Sequence, residues 1–189
     1  MILSILLSIV IFEPLVSDWH VLPKITYIPK SHLIEMVRQE ADVVIPDTME
    51  WYHIWLIYET ASRLDIPIRI AFRLFKQESN FDPAALNPKS GAKGYGQMLE
   101  STWLYMLLKS DFPLDLEMTP ARNIVMSLKY YDYLRTRWRN KGLNEAKMTD
   151  YILASYNAGI GRVMAYNGIP PFEETRNYIA FIQNENKSN

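Results

Sequence analysis

The chain contains no cysteine, and it carries nearly equal numbers of acidic and basic residues. Without cysteine there are no disulfides, no thiol nucleophile and no thiolate metal ligands. The formal net charge of −1, from 20 basic and 21 acidic residues, gives no electrostatic case for a nucleic-acid partner. His20, His32 and His53 are scattered and lack metal-ligand spacing such as HExxH. We therefore expect them to be ordinary surface or interface residues, and we predict neither a metal site nor a cofactor.

Long hydrophobic runs are also missing, apart from one at the N-terminus. Residues 1–12, MILSILLSIVIF, are apolar except for two serines. This run is shorter than the about 20 residues of a membrane-spanning helix, and it suits the apolar part of a secretory signal. No Lys or Arg precedes Lys24, so an uncleaved anchor and a packed core element stay open as alternatives. We expect a signal or membrane anchor at 1–17, then an arm or linker at 18–46 with a candidate helix near 31–41.

From residue 47 onward the pattern is helical, and residues 47–185 are predicted to form an all-α or mostly α domain. Apolar residues recur at helical spacing, and no alternating apolar run is long enough for a substantial sheet. Helix starts are predicted at Asp47, which forms a capping box with Glu50, and at Asp65, which is followed by Pro67. Further starts are predicted near Ser101, at Thr119 followed by Pro120, near Thr149 and after Pro171. Gly142 and Gly159 are predicted to end two of these helices.

One acidic residue, Glu78, lies on the apolar face of a predicted helix. Ala71, Leu74, Phe75 and Glu78 fall at i, i+3, i+4 and i+7, and the break at 81–83 places Glu78 in the last turn. Burial and the negative end of a helix both disfavour the charged form, so both raise the pKa of Glu78. A carboxyl group that stays protonated near neutral pH is suited to general acid catalysis. From position alone, a glutamate that reaches solvent at a helix end is the commoner case.

The stretch after Glu78 is rich in glycine and ends at Gln97. Gly91, Gly94 and Gly96 lie within six residues, which indicates a backbone that passes close to packed protein or to a ligand. The stretch contains neither a GxGxxG fingerprint nor a Gly-Lys-Ser/Thr ending, so neither a dinucleotide site nor a phosphate loop is predicted. The side chain of Gln97 could simply satisfy backbone groups of this loop.

Several short blocks, taken in order, resemble those of a known enzyme family. They are ESNFDP at 78–83, GAKGYGQ at 91–97, Thr102, Asn123-Ile124 with Tyr130, ASYNAG at 154–159 and PFEETRNY at 171–178. The ordered set spans residues 50–183 and resembles the catalytic domain of the soluble-type lytic transglycosylases. The chain departs from the family's usual residues at Asn87, Gly96, Glu100 and Ser127.

The resemblance implies a lysozyme-like fold and a peptidoglycan lytic transglycosylase. Such an enzyme cleaves the MurNAc–GlcNAc β-1,4 bond and forms 1,6-anhydromuramic acid, with Glu78 as the sole catalytic carboxyl group, first acid and then base. The residues implied for the sugar cleft are Asn87, Gln97, Tyr130, Tyr156, Asn157 and Glu174. Without the family, Tyr156 is more often a core residue, and Asn157 with Gly159 could form a helix C-cap.

Two other functions stay open on the sequence. Glycosidases usually use two carboxyl groups, and Asp82, Asp111 and Asp115 supply no obvious partner for Glu78. A second carboxylate across the cleft would favour a goose-type lysozyme-like hydrolase. A non-catalytic glycan-binding module of a secretion machine or phage particle is the other alternative. The implied partner is the peptidoglycan glycan strand, with membrane association through residues 1–12. The expected location is the periplasm or cell envelope, or alternatively a phage particle.

Overall fold

The computed structural model describes residues 28–110 and 113–183, and this part of the chain forms eight α-helices. They are α1 Lys30–Ala41, α2 Trp51–Arg63, α3 Ile68–Ser79, α4 Glu100–Leu108, α5 Pro120–Arg139, α6 Glu145–Ala158, α7 Ile160–Ala165 and α8 Glu173–Gln183. In the loop between α3 and α4, isolated β-bridges join Lys93 to both Leu86 and Met98. The prediction of an all-α or mostly α domain is confirmed.

The main core lies among α1, α2, α3, α5, α6 and α8. Helix α5 packs against α2 and α6, while α3 packs against α1, α2 and α8. The predicted apolar face of α3 is present, because Ala71, Leu74 and Phe75 are all fully buried. A smaller cluster beneath α4 contains Met98, Trp103, Met106, Leu107 and Met126. Burial of apolar surface, at about 25 cal/mol per Å², is the main force that holds these helices together.

Helix α1 is the helix expected inside the N-terminal arm, and it contributes to the main core. Its residues Leu33, Val37 and Ala41 are fully buried. The buried Arg73 of α3 donates from Nε to the Ala41 carbonyl oxygen at 2.6 Å and from Nη1 to the Phe181 carbonyl oxygen at 2.5 Å. One guanidinium group thus ties the ends of α1 and α8 to α3.

The predicted signal or anchor at 1–17 lies outside the described residues. Among the helices of 28–110 and 113–183, none has both the length and the apolar character needed to span a membrane.

The capping box predicted for α2 is wrong. Helix α2 begins at Trp51 with Glu50 as its N-cap, and no side chain makes a cap hydrogen bond there. The Met49 N–H instead donates to the Pro46 carbonyl oxygen at 2.9 Å. This turn holds Asp47 outside the helix, so its side chain does not act as the cap.

The cap predicted at Asp65 is also wrong. Its φ of 50° is left-handed, and its carbonyl oxygen accepts a hydrogen bond of 2.8 Å from Arg135 Nη1. The N-cap of α3 is Pro67, one residue before Ile68, and it makes no side-chain cap bond. Asp65 therefore belongs to the turn after α2.

The boundaries of helices α5 and α6 agree in part with those predicted from the sequence. Thr119 caps α5 as predicted, since its side chain accepts from the Arg122 N–H at 3.4 Å. The helix ends at Arg139, before the predicted stop at Gly142.

Helix α6 begins at Glu145 rather than near Thr149, because the Asn144 side chain accepts from the Lys147 N–H at 3.0 Å and caps it. Gly159 ends α6 as predicted, with φ of 90°. The short helix α7, directly after Gly159, was not predicted.

Candidate active site

Glu78 lines a cleft of about 610 Å³. It is in the last turn of α3, which ends at Ser79 as the sequence pattern predicts. The next two residues, Asn80 and Phe81, both have left-handed φ values, of 54° and 63°. These two residues turn the chain sharply away from α3, so Glu78 lies at the C-terminal end of this helix.

The Glu78 carboxyl group is held by one tyrosine of α8. Tyr178 Oη donates a hydrogen bond to Glu78 Oε1 at 2.5 Å. Burial raises the pKa of Glu78 to about 7; the Tyr178 hydrogen bond opposes this shift, and the negative charge of Glu174 adds to it. Burial and the charge of Glu78 raise the pKa of Tyr178 well above its usual value, so this tyrosine is a neutral donor. At neutral pH a large fraction of the molecules therefore carry a proton on Glu78.

The glycine-rich stretch forms one wall of the cleft, and packed protein explains two of its glycines. A Cβ on Gly94, where φ is +77°, would lie 2.7 Å from Asn123 Cγ. A Cβ on Gly96 would lie 2.0 Å from Ser127 Oγ. Asn123 also fixes this backbone, because its Oδ1 accepts from the Gly96 N–H at 2.8 Å and its Nδ2 donates to the Lys93 carbonyl oxygen at 3.0 Å. The close approach predicted from the glycine spacing is therefore to α5.

His53 of α2 contacts the glycine-rich stretch. His53 of α2 is only 8% exposed, and its Nδ1 lies 3.0 Å from Tyr95 Oη. The expectation of an ordinary surface or interface role is thus wrong for His53, although His32 is exposed. The apolar face of α2 carries His53 inward to meet Tyr95, the residue between Gly94 and Gly96.

Gln97 combines a backbone role with a place in the cleft. Its φ is 46°, and its Nε2 donates to the carbonyl oxygens of Ala85 at 3.1 Å and Gly94 at 3.0 Å. The Gln97 side chain therefore does bond to backbone groups of its own loop, which was one of the two alternatives. The residue also lines the cleft. With the amide nitrogen occupied, the amide oxygen is the group that Gln97 offers to a ligand.

Tyrosine side chains of α5 and α6 also line the cleft. Tyr156 Oη donates to the Gly96 carbonyl oxygen at 3.0 Å and so joins α6 to the glycine-rich stretch. The Tyr130 ring lies 5.4 Å from the Tyr156 ring and stacks on Tyr133 at 6.1 Å. Burial, followed by the charge of Glu78, raises the pKa of Tyr156 well above its usual value. Tyr156 is thus a neutral hydroxyl group close to Glu78.

Asn157 links the end of α6 to the start of α8. Its Oδ1 accepts from Thr175 Oγ1 at 2.7 Å, and its Nδ2 donates to Glu174 Oε1 at 3.3 Å. The C-cap of α6 is Gly159 rather than Asn157. Asn157 therefore orients Glu174, the second carboxyl group that lines the cleft.

Asn87 is also partly committed to its own loop. Its Oδ1 accepts from the backbone N–H groups of Lys89 at 3.0 Å and Ser90 at 3.2 Å. Asn87 also lines the cleft, and its Nδ2 takes no part in this turn.

All seven residues predicted for the site lie along this one cleft. They are Glu78, Asn87, Gln97, Tyr130, Tyr156, Asn157 and Glu174. Sequence reasoning missed Tyr178, although its position one turn after Glu174 on α8 places both on one face.

Among the described residues, no group of three or more His, Cys, Asp or Glu side chains is arranged to hold a metal ion.

The domain is helical, and it holds a partly buried glutamate with a raised pKa in an open cleft. Comparison with known proteins gives the family. The chain belongs to the Transglycosylase SLT domain family, whose model matches residues 56–179. The predicted family is confirmed.

A solved structure shows the same fold. It is an X-ray structure of an inactive mutant of lytic transglycosylase Slt from Pseudomonas aeruginosa, with a TM-score of 0.56 and 20% sequence identity. The match covers 82% of this chain and 29% of that protein, so this chain spans less than a third of its length. The predicted lysozyme-like fold is confirmed.

Proposed function

We propose that the protein is a peptidoglycan lytic transglycosylase that cleaves the MurNAc–GlcNAc β-1,4 bond and leaves a 1,6-anhydromuramoyl end. The observation that carries the proposal is the Glu78 carboxyl group, whose pKa is raised to about 7 and which lies in a cleft lined by amides, hydroxyls and tyrosines. Neutral sugars are bound by groups of this kind. Membership of the SLT transglycosylase family supports the reaction class.

In the first step, protonated Glu78 acts as the general acid. Its proton passes to the glycosidic oxygen, O4 of the leaving GlcNAc, as the bond from that oxygen to C1 of MurNAc breaks. The positive charge that develops at C1 can be stabilised by the N-acetyl group of the same sugar. Tyr178 donates to Glu78 Oε1 throughout and stabilises the carboxylate that proton transfer creates.

In the second step, the Glu78 carboxylate acts as the base. It takes the proton from the C6 hydroxyl of the same MurNAc, and the C6 oxygen bonds to C1 to close the 1,6-anhydro ring. Because one carboxyl group serves both steps, the site must hold O6 near C1 and keep water from competing. Tyr156 and Gln97, both on the cleft beside Glu78, are the positioning groups.

A second candidate function follows from Glu174. This carboxyl group lines the cleft, and its charge contributes to the raised pKa of Glu78. A carboxylate that activates water would make the enzyme a goose-type lysozyme-like hydrolase. Against this role, Glu174 Oε1 accepts from Asn157 Nδ2, an amide that is itself fixed by Thr175. We therefore assign Glu174 to substrate binding and to the electrostatics of Glu78.

The proposed reaction also bears on location and partners. Peptidoglycan lies outside the cytoplasmic membrane, which supports the periplasm or cell envelope as the place of action, with a phage particle as the alternative. An export signal or anchor at 1–17 would serve either an independent enzyme or a secretion or phage assembly. A purely glycan-binding module would not need a protonated carboxyl group in its cleft.

Digestion of purified cell-wall sacculi tests the reaction. The released muropeptides should carry 1,6-anhydromuramic acid, and each should be about 18 mass units lighter than the hydrolysed form because one water is missing. Mass spectrometry reads this difference directly. Products that chiefly carry reducing ends would contradict the proposal and favour the hydrolase.

The pH dependence should follow the protonation of Glu78. We expect kcat/KM to fall as pH rises through about 7, because only the protonated carboxyl group can act as the acid. In Tyr178→Phe, the hydrogen bond that favours the carboxylate is lost, so this alkaline limb should move to higher pH. Tyr151→Phe is the matched control, since Tyr151 Oη bonds to Asn167 away from the cleft. An alkaline limb that stays in place or moves to lower pH in Tyr178→Phe would contradict this assignment.

A further inference from the structure

Helix α4 carries apolar side chains on its outer face as well as on its inner face. Its inner residues Trp103, Met106 and Leu107 are buried in the smaller core cluster. On the outer face, Leu104 and Leu108 are 43% and 66% exposed. A surface helix normally presents charged and polar side chains outward, whereas a helix that is apolar all round is normally covered on every side. The outer face of α4 is therefore suited to contact with an apolar phase.

Two tyrosines continue this face from α4 onto α5. Tyr105 is 38% exposed and lies one turn before Leu108. Its hydroxyl oxygen lies 2.8 Å from Tyr133 Oη, and the two ring centroids are 5.5 Å apart. Tyrosine has an apolar ring with a polar end, and it is enriched where a protein meets the head groups of a bilayer. We call Leu104, Tyr105, Leu108 and Tyr133 the leucine–tyrosine surface.

Positive charges border the leucine–tyrosine surface on both helices. Lys109 is the only charged residue of 101–110, and its Nζ lies 5.8 Å from the centroid of the Tyr105 ring. Arg137 is exposed and lies one turn after Tyr133 on α5. Burial and the hydrogen bond to Tyr105 raise the pKa of Tyr133, while the positive charge of Arg137 lowers it. Each tyrosine of this surface therefore has a cation beside it.

We infer that the leucine–tyrosine surface docks the protein on a bilayer that carries anionic phospholipids. The two leucines enter the boundary between head groups and acyl chains, and the tyrosine hydroxyls stay among the head groups. Lys109 and Arg137 meet the lipid phosphates, whose negative charge complements theirs. This docking is independent of the predicted anchor at 1–17 and of the proposed reaction.

Docking on this surface brings the bilayer close to the catalytic cleft. The Tyr133 ring stacks on Tyr130 at a centroid distance of 6.1 Å, and Tyr130 lines the cleft. One tyrosine thus faces the lipid head groups, while the next one faces the glycan site. If the proposed reaction holds, the docked enzyme meets the glycan strands that lie nearest the membrane.

A single dye on the full-length protein tests where the bilayer lies. The chain has no cysteine, so Leu108→Cys can be labelled at one position with a polarity-sensitive dye. Vesicles of phosphatidylcholine mixed with phosphatidylglycerol should shift its emission to the blue, and brominated acyl chains should quench it. The same dye on Glu40→Cys is the matched control, because Glu40 is exposed on α1 and lies outside the leucine–tyrosine surface. An anchor at 1–17 alone would bring both dyes to the vesicle but would place neither in the bilayer.

The cations are tested in the same labelled protein. Lys109→Gln and Arg137→Gln should each weaken the docking equilibrium, read from the dye at 108, by about fivefold at low salt. Added salt should reduce this difference, because it screens the charges. Lys147→Gln is the matched control, since Lys147 is exposed on α6 and lies outside this surface; it should leave docking unchanged.

Four results would overturn the inference. The dye at 108 could stay unshifted with vesicles, or the dye at 40 could shift equally, which would show that no particular face is docked. An equal shift with phosphatidylcholine alone would show that anionic lipid is not required. A shift without vesicles, as the protein concentration rises, would show that a second copy of the chain covers the leucine–tyrosine surface instead.

Discussion

Glu78→Gln is expected to lower turnover on cell walls by about 10² to 10⁴-fold, the usual contribution of a general acid. The amide keeps the size of the side chain and can still accept from Tyr178, but it has no proton to transfer and cannot act as the base. Turnover is measured as the muropeptides released from purified sacculi. More than a tenth of the unmodified turnover in a folded Gln variant would remove Glu78 from the mechanism.

The same variant should be more stable than the unmodified protein above neutral pH. The folded pKa of Glu78, about 7, lies above its ordinary value of 4.5. The stability linked to the protonated group is fully present below about 4.5 and is lost as pH rises through 7, because the buried carboxyl group must then ionise. Removing that cost should raise the free energy of unfolding by about 1–3 kcal/mol at pH 8. Denaturant titrations measure it, with the exposed Glu40→Gln of α1 as a control that should change neither activity nor stability.

Gly96→Ala should have the second largest effect, although Gly96 carries no chemistry. Its Cβ would lie 2.0 Å from Ser127 Oγ, 2.6 Å from Ser127 Cβ and 2.9 Å from Tyr156 Oη. Either the glycine-rich stretch moves outward or Tyr156 does, and both line the cleft at Glu78. Overpacking of this kind costs about 1–3 kcal/mol of stability, and a displacement near 1 Å can cost about 10²-fold in rate.

A second change at Ser127 provides the control for this clash. Ser127→Gly removes two of the three close contacts, so adding it to Gly96→Ala should recover part of the lost stability and turnover. Gly161→Ala is the neutral comparison, because Gly161 lies in α7 and an added Cβ there meets nothing within 4 Å. Wild-type stability and turnover in Gly96→Ala alone would show that the wall does not depend on this contact.

The position of Glu78 was predictable because it depends on local rules. The apolar spacing of Ala71, Leu74 and Phe75 defines the buried face of α3, and the break at 81–83 ends the helix just beyond Glu78. The pKa of Glu78 is raised in the predicted direction, with burial as the main cause, although position alone favoured a glutamate that reaches solvent. The structure adds the charge of Glu174 as a further cause of the shift.

Tyr178 was missed because its contact is not local. The Tyr178–Glu78 hydrogen bond joins residues 100 positions apart, and it exists only because α8 packs against α3. Periodicity identifies the inner face of α8 but not the side chain that this face meets. The family resemblance supplied Glu174 on the same face and passed over the tyrosine one turn later.

The glycine-rich stretch shows the same limit. Its spacing indicated a close approach, and the choice between protein and ligand required the positions of Asn123 and Ser127 on α5. Two of the predicted helix caps were wrong for a related reason. Asp47 and Asp65 have the right side chains, but the turns in which they lie hold both outside the helices they were predicted to cap.

Digestion of sacculi in water enriched with oxygen-18 tests the central claim most directly. If the C6 hydroxyl of the sugar closes the ring and Glu78 only moves protons, no solvent oxygen enters the muramoyl product. We predict 1,6-anhydro products of unchanged mass in labelled and ordinary water. Reducing-end products that are about two mass units heavier in labelled water would show that a water molecule attacks C1, and they would contradict the proposed lytic reaction.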